Sequence, residues 1–172
     1  MVEQEFFVKI SMPCYPDELL FPTLLSYADR SFHPSTRLTA GATLPSKQIK
    51  LENNLIRLFL VDFSTKRHFA PLRLNYIRGS SAAVFAYSKN NRKFLDSAIA
   101  LYRWFKRHTP HPVPIVAFLG LHADPELVSQ KDGEALAQEL NVDFYEMAVD
   151  DLQALDTILM LLLRKVIVLK TS

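Results

Sequence analysis

The sequence predicts an α/β domain with a mainly parallel sheet, one antiparallel edge strand and helices on both faces. From residue 48 onward, short apolar runs typical of buried strands alternate with amphipathic segments typical of helices. A polar triplet, Glu52-Asn53-Asn54, separates two strand-like runs and predicts a hairpin. The length of 172 residues suits a single core, so we assign 1–172 to one domain.

The first part of the chain is predicted to hold one strand, one helix and the hairpin. Pro13 ends the first apolar run because proline cannot donate to a strand ladder. Apolar residues at helical spacing follow, and Pro22 among them means that the helix begins late or kinks there. The predicted elements are a strand at 6–12, a helix at 17–27, a loop at 29–45 and hairpin strands at 48–51 and 55–61.

The second part alternates strands with helices. Pro110 and Pro112 stop the helix before them. Ser129 and Asp132 have the spacing of a capping box, which predicts a helix start. The predicted elements are strands at 81–87, 115–120 and 142–147 and helices at 94–108, 129–140 and 151–168.

The composition excludes several classes of protein. A formal net charge of +2 is too small to predict binding to nucleic acid. No apolar run reaches the roughly 18 residues of a membrane span. Cys14 is the only cysteine, so no internal disulfide can form, which fits a reducing compartment and predicts a cytoplasmic location.

Residues 56–87 read IRLFLVDFSTKRHFAPLRLNYIRGSSAAVFAY. This stretch resembles the middle of the small Ras-type GTPases, most closely the Rab branch. In that family a strand ends in Asp-x-x-Gly, a switch segment follows, and a Tyr-Tyr-Arg-Gly turn leads into the next strand. The resemblance extends over roughly residues 6–168. It implies a small-GTPase-like domain, with the sheet of P-loop nucleotide-binding proteins.

The phosphate-binding loop of that family is degenerate here. A P-loop needs G-x-x-x-x-G-K-[ST], and the stretch that matches it, CYPDELLF from Cys14 to Phe21, contains no glycine. Leu20 replaces the lysine, and Phe21 replaces the hydroxyl that binds magnesium. Asp17 and Glu18 bring carboxylates to where phosphates would lie, which is unfavourable in a poorly solvated site. We expect Leu20 and Phe21 to fill the site with apolar packing.

The switch motifs keep some positions and lose others. By position, Thr39 matches the switch I threonine and Asp62 matches the aspartate of Asp-x-x-Gly. Thr65 replaces the glycine of that motif, and Lys66 stands where the family usually places its catalytic glutamine. We interpret Thr39 as a loop residue. Asp62 is expected to cap a strand end or to hydrogen-bond the degenerate loop.

The base-reading motifs are reduced to one residue. Asn-Lys-x-Asp is replaced by Leu121-His122-Ala123-Asp124, so only Asp124 survives. The later Ser-Ala-Lys element has Ala148 in place of its serine. The five histidines are interpreted as solvated loop residues, because no nearby carboxylate or cysteine in the sequence completes a metal site. We therefore expect no metal and no nucleotide cofactor.

These motifs predict a pseudo-GTPase without catalytic residues that acts as a protein–protein interaction module, as in membrane trafficking. Two alternatives stay open: weak, atypical binding of GTP or GDP with Mg²⁺ through Thr39, Asp62 and Asp124, or a structural subunit of a larger complex. The chain ends LKTS without the cysteines of a prenylated Rab tail, so membrane recruitment would go through partners. The candidate partner-binding residues are Phe59, Phe63, His68, Phe69, Leu72 and Trp104.

Basic residues lie just before and within the predicted helix 94–108, which also contains Trp104. They form either a docking patch for an acidic partner or membrane, or a solvated helix face. If Trp104 is exposed among them, it would be an interface anchor. These residues are Lys89, Arg92, Lys93, Arg103, Lys106 and Arg107.

Overall fold

The computed structural model describes residues 4–28 and 42–172, which form one sheet with helices on both faces. The strands are β1 (Gln4–Ser11), β2 (Cys14–Tyr15), β3 (Ala42–Thr43), β4 (Ser46–Leu51), β5 (Asn54–Phe63), β6 (Ala82–Ser88), β7 (Ile115–His122) and β8 (Asp143–Ala148). The helices are α1 (Phe21–Tyr27), α2 (Arg73–Ile77), α3 (Arg92–His108), α4 (Gln130–Leu140) and α5 (Leu152–Thr171), and a 3-10 helix (Arg67–Leu72) precedes α2.

The strands lie in the order β3-β5-β1-β6-β7-β8. β5, β1, β6, β7 and β8 all run parallel, and β2 continues the pairing with β6 beyond the end of β1. The strand β4 pairs antiparallel with β5, as does the two-residue strand β3. The predicted mainly parallel sheet with an antiparallel edge is therefore confirmed.

The hairpin between β4 and β5 is also confirmed. Its register places Leu51 opposite Asn54, so Glu52 and Asn53 form the turn. Glu52 has a left-handed φ of 56°, which a tight hairpin turn of this kind requires.

Helix α1 begins later than the apolar pattern indicates. Pro22 lies in its first turn, where a missing N–H costs nothing. The stretch from residue 17 to 20 is a turn rather than helix, and Glu18 has a left-handed φ of 66°. The predicted helix was therefore wrong for its first turn, and Asp17 and Glu18 lie in the loop that enters α1.

The sheet separates two hydrophobic layers. On one face, α1 and α5 pack on alternate residues of β1, β5, β6 and β7, and on the other α3 covers an aromatic layer. Every residue of β6 is buried, as expected for a central parallel strand with helices on both sides. Helices on both faces were predicted, and this too is confirmed.

Side-chain caps begin the longer helices. The capping box of α4 is present, with Asp132 N–H donating to the Ser129 hydroxyl at 3.1 Å and Ser129 N–H donating to the Asp132 carboxylate at 3.0 Å. Asn91 accepts from Lys93 N–H at 2.9 Å and starts α3. These local bonds explain why both helix starts could be placed closely from sequence.

Leu20, just before α1, is fully buried in the layer beneath α1 and α5. Replacing a buried leucine by alanine removes apolar contacts and leaves a cavity. We predict that Leu20→Ala lowers the free energy of unfolding by about 2–5 kcal/mol, measured by urea unfolding.

The matched control is Leu127→Ala, the same change at a leucine that is 59% exposed. It should change the free energy of unfolding by less than about 1 kcal/mol. Equal, small losses in both variants would contradict the packing role of Leu20.

Candidate functional site

The loop that the sequence predicts to correspond to the phosphate-binding loop lies between β2 and α1 and is hydrogen-bonded to the segment after β5. Asp17 makes this connection. Its Oδ2 accepts from the Ser64 hydroxyl at 2.9 Å, and its Oδ1 accepts from Thr65 N–H, also at 2.9 Å. The Thr65 hydroxyl lies 3.2 Å from both Asp17 Oδ1 and the Cys14 carbonyl oxygen and can donate to either. One carboxylate thus holds together two segments that are far apart in the sequence.

Arg73, at the start of α2, fastens the same segment from the other side. Its Nη2 donates to the Thr65 carbonyl at 2.5 Å and to the Lys66 carbonyl at 3.2 Å. Lys66 N–H also donates to the Ser64 hydroxyl at 3.2 Å. Arg73 was not predicted from the sequence, because nothing local to a basic residue in an apolar stretch indicates that it binds backbone carbonyls.

Apolar residues fill the rest of this loop. Leu20 is fully buried, as expected, but Phe21 is only half-buried, so the predicted filling rests mainly on Leu20. Cys14 is buried as well. Burial, with smaller contributions from the charges of Asp62 and Asp17, outweighs a hydrogen bond from the Leu20 backbone and raises the pKa of its thiol to about 12.

Asp62 lies inside β5, opposite Thr43, and is 8% exposed. Burial, together with the negative charges of Asp17 and Glu18, raises the pKa of its carboxyl to about 7. No described residue donates a hydrogen bond to this carboxylate. The prediction that Asp62 caps the strand end or bonds the loop was therefore wrong for the described residues. The strand continues through Phe63, and Ser64 and Thr65 make those bonds instead.

The residues predicted to correspond to the base-reading motif do not converge. Leu121 is fully buried in the layer under α1 and α5, whereas Asp124 is exposed. His122, the last residue of β7, is about half exposed and pairs in register with Ala148 at the end of β8. The switch threonine, Thr39, lies outside the described residues.

A buried ion cluster lies beside His122 and centres on Lys89. The Lys89 side chain is fully buried, and its Nζ donates to Glu146 Oε2 at 2.8 Å and to Glu126 Oε1. Burial alone would lower the pKa of Lys89, but the hydrogen bonds that its ammonium group donates to the two carboxylates outweigh burial and raise it. Lys89 therefore cannot belong to the basic docking patch in which it was placed.

Backbone groups of Lys89 also shape this end of the sheet. Its N–H donates to the Leu121 carbonyl at 2.9 Å, and its carbonyl accepts from Leu127 N–H at 2.9 Å and Val128 N–H at 3.0 Å. These bonds hold the 123–129 loop against β6 and place Glu126 beside Glu146. The sequence does not signal the cluster, because its ion pairs join residues 37 and 57 positions apart.

The predicted partner-binding residues differ in exposure. Phe63 is 1% exposed and packs against Tyr76 and Phe105, so it cannot meet a partner directly. Leu72 and Trp104 are half-buried, and Trp104 stacks on His108 with a centroid distance of 4.7 Å. The side chains of His68 and Phe69 lie outside the described part of the chain.

Phe59 remains accessible for an interaction, and it stacks on a second aromatic ring that was not predicted from the sequence. Phe7 of β1 is 62% exposed and stacks on the half-buried ring of Phe59, with 6.4 Å between centroids. The alternation in β1, where Phe6 and Val8 face the core, could have placed Phe7 on the opposite face. We call this exposed pair the Phe7/Phe59 patch.

Within residues 4–28 and 42–172, no helix combines the length and hydrophobicity needed to cross a bilayer. The predicted absence of a transmembrane helix is confirmed for this part of the chain.

Known proteins similar to this chain are small GTPases of the Rab type. GTP-binding protein ypt2 of Schizosaccharomyces pombe is 29% identical over 126 residues, covering 72% of this chain and 62% of ypt2. Ras-related protein Rab-22A of Mus musculus is 26% identical over 123 residues, covering 70% of this chain and 63% of that protein. Ras-related protein SEC4 of Candida albicans is 26% identical over 140 residues, covering 78% and 65%.

The alignments thus span a little under two thirds of these relatives' own lengths. The Ras family model matches residues 22–168, from α1 through most of α5. Strand order, the antiparallel β4 edge and the helices on both faces are consistent with the small-GTPase fold. On this match, which covers most of the chain, the protein belongs to the Ras family.

Proposed function

We propose that this chain is a pseudo-GTPase, a Ras-family domain that neither binds nor hydrolyses guanine nucleotide and acts as a protein–protein interaction module. The observation that carries the proposal is the Asp17 carboxylate, bonded to Ser64 and Thr65 where the family's phosphate-binding loop would cradle an anion. A P-loop binds phosphate with glycine backbone N–H groups and a lysine. Here the loop offers a negative charge, and Leu20 is buried in place of the lysine.

Electrostatics support the same proposal. Asp17, Glu18 and Asp62 are close enough for their charges to interact, and the first two contribute to the raised pKa of Asp62. A nucleotide triphosphate would add negative charge to this group without a lysine to offset it. The residues present therefore do not fit a phosphate–magnesium group of the kind that the family binds.

The same contacts suggest a fixed conformation. In nucleotide-dependent switches, contacts to the γ-phosphate order the segment after the Asp-x-x-Gly strand, and hydrolysis releases it. In this chain Asp17 and Arg73 hold residues 64–66 through protein–protein hydrogen bonds. Such a segment needs no ligand to stay ordered, so the interaction surface would be presented constitutively.

The Phe7/Phe59 patch supports the interaction role. Exposed, stacked aromatic rings are enriched at the centres of protein interfaces, because they bury a large area and lose little entropy on binding. The patch lies on the sheet face beyond the part covered by α3, next to the exposed ion pair between Arg57 and Glu5. It thus has an aromatic centre and a charged rim.

One observation favours the alternative, a switch that binds GTP or GDP with Mg²⁺ through unusual contacts. Asp62 keeps its position and is buried without a hydrogen-bond donor among the described residues. A bound cation would remove the cost of that isolated charge. The two readings differ in whether nucleotide and Mg²⁺ stabilise the fold.

The first prediction from this proposal concerns nucleotide binding. With millimolar GTP or GDP and Mg²⁺, we expect no rise in the thermal unfolding midpoint and no guanine nucleotide in the protein as purified. A ligand that binds only the folded state at 100 times its Kd would add about 2.7 kcal/mol of stability. The GTP-binding protein ypt2 serves as the positive control. A raised midpoint or co-purified nucleotide would refute the proposal.

The second prediction concerns Asp62. Since folding raises the pKa of its carboxyl to about 7, the native state holds a proton that the unfolded state loses above its ordinary pKa near 4. Stability is therefore lost as pH rises through this window. Asp62→Asn should be more stable than the parent at about pH 8, by on the order of 2–4 kcal/mol, and equally stable at about pH 4.

This comparison is made by urea unfolding across that pH range, with and without Mg²⁺. Asp124→Asn, at an exposed aspartate, is the control. An Mg²⁺-dependent gain in the parent that Asp62→Asn abolishes would support the cation-binding alternative. If Asp62→Asn is no more stable than the parent at about pH 8, Asp62 does not carry a destabilising unpaired charge.

The third prediction concerns the interaction surface. Phe7→Glu should abolish the capture of a specific partner, because it puts a charge at the centre of the aromatic patch. Val168→Glu is a matched control, since Val168 is also 62% exposed but lies on α5. Affinity capture with quantitative mass spectrometry compares the three proteins after each is shown to be folded. If Phe7→Glu retains every partner of the parent, the patch is not the interface.

A further inference from the structure

We propose that His122, Glu126 and Glu146 form a binding site for a divalent transition-metal ion of the Zn²⁺ type. The site lies at the carboxyl end of the sheet, where His122 ends β7, Glu146 comes from β8 and Glu126 comes from the loop between β7 and α4. It is independent of the proposed pseudo-GTPase role, because it uses none of the residues around Asp17.

The donor atoms are already gathered. One ligand atom from each of the three side chains lies within 4.8 Å of the other two. His122 Nδ1 is 3.5 Å from Glu126 Oε2, and its Nε2 is 3.6 Å from Glu146 Oε2. Tetrahedral Zn²⁺ with bonds of about 2.1 Å holds its ligands roughly 3.4 Å apart. Side-chain adjustments of an ångström or so would therefore bring one imidazole nitrogen and two carboxylate oxygens onto one ion.

Two buried polar atoms of this cluster lack a partner. Glu146 Oε1 and the Tyr87 hydroxyl are buried, and no described residue hydrogen-bonds to either. Tyr87 and Glu146 both pack closely against Gly120. A Cβ atom added at Gly120 would lie 3.2 Å from the Tyr87 hydroxyl and 3.4 Å from Glu146 Cγ. Buried polar atoms without partners are costly, and a bound ion at Glu146 would satisfy one of them.

Lys89 supports the site rather than blocking it. Its Nζ bonds to Glu126 Oε1 and Glu146 Oε2, so Glu126 Oε2 stays available. Glu146 can bind an ion through a second lone pair of Oε2 or through its unpartnered Oε1. Carboxylates that bind metals are commonly held by such outer hydrogen bonds, which fix their orientation. Two carboxylates and one ammonium leave a net charge of −1, which attracts a cation.

The surroundings indicate which ion binds and how it enters. A histidine nitrogen with two carboxylates suits Zn²⁺ and similar ions, whereas Mg²⁺ and Ca²⁺ prefer ligand sets made only of oxygen. An open cleft of about 690 Å³ between α4 and β8 is lined by His122 and Glu146, so solvent reaches the site and can supply a fourth ligand. Cys14 cannot compete for the ion, because the thiol is buried away from solvent.

The test is calorimetric titration of the folded, tag-free protein with Zn²⁺. We expect one equivalent to bind, and His122→Ala to weaken binding at least tenfold. This variant leaves both ion pairs of Lys89 in place and should fold normally. Glu126→Gln, a second ligand change of the same shape, should also weaken binding at least tenfold. His111→Ala, at an exposed histidine elsewhere, should leave the affinity unchanged.

Two further readouts separate this site from surface binding. Co²⁺ should give the visible absorption of a four-coordinate site in the parent but not in His122→Ala. Excess Mg²⁺ should not displace Zn²⁺, because the histidine ligand disfavours it. Zn²⁺ binding that is absent in the parent, or equally tight in His122→Ala, would overturn the proposal.

Discussion

Parallel pairing of β5, β1, β6, β7 and β8 is the constraint on which the rest of the structure depends. Parallel neighbours need crossover connections, so helices cover both faces and each of these five strands points its carboxyl end to the same edge. The loops after these strands therefore meet at that edge, whatever residues they contain. Both polar clusters lie there, one around Asp17 and one around Lys89.

The two clusters differ in whether their buried charge is paired. Lys89 is fully buried, but two carboxylates bond its ammonium group, so it stays charged and joins β6 to β8 and to the loop after β7. Asp62 is almost as deeply buried, but it has no cationic partner among the described residues. Burial and the charges of Asp17 and Glu18 raise its pKa to about 7. A buried charge stabilises a fold only when it is paired. The paired charge of Lys89 thus helps to hold the fold together, whereas the unpaired charge of Asp62 destabilises it.

Hydrogen bonds fasten the loop before α1 to the segment after β5. The Asp17 carboxylate and the Arg73 guanidinium connect the loop before α1 to the segment after β5. These connections span the two segments that a nucleotide would otherwise bridge. On the proposed function, protein side chains have taken over that bridging role, and the aromatic patch of Phe7 and Phe59 is presented without a switch.

Local signals made most of the fold predictable. The capping box of Ser129 and Asp132, the polar turn at Glu52 and the continuous apolar run of β6 each act between near neighbours. Predictions failed where a contact joins distant residues. The first turn of the expected α1 helix is instead a loop, in which Asp17 is hydrogen-bonded to Ser64 and Thr65. The Lys89 side chain is buried because it pairs with carboxylates far along the chain.

The sequence by itself therefore determined the fold class and the order of the elements, because these depend on residue type and near-neighbour spacing. Only the tertiary structure decided the hydrogen bonds of Asp17, the burial of Phe63 and Lys89, the exposure of Phe7 and the meeting of His122 with Glu126 and Glu146. The reason is that burial and pairing of a side chain depend on which strands become neighbours, and in a parallel sheet those neighbours are far apart in the chain.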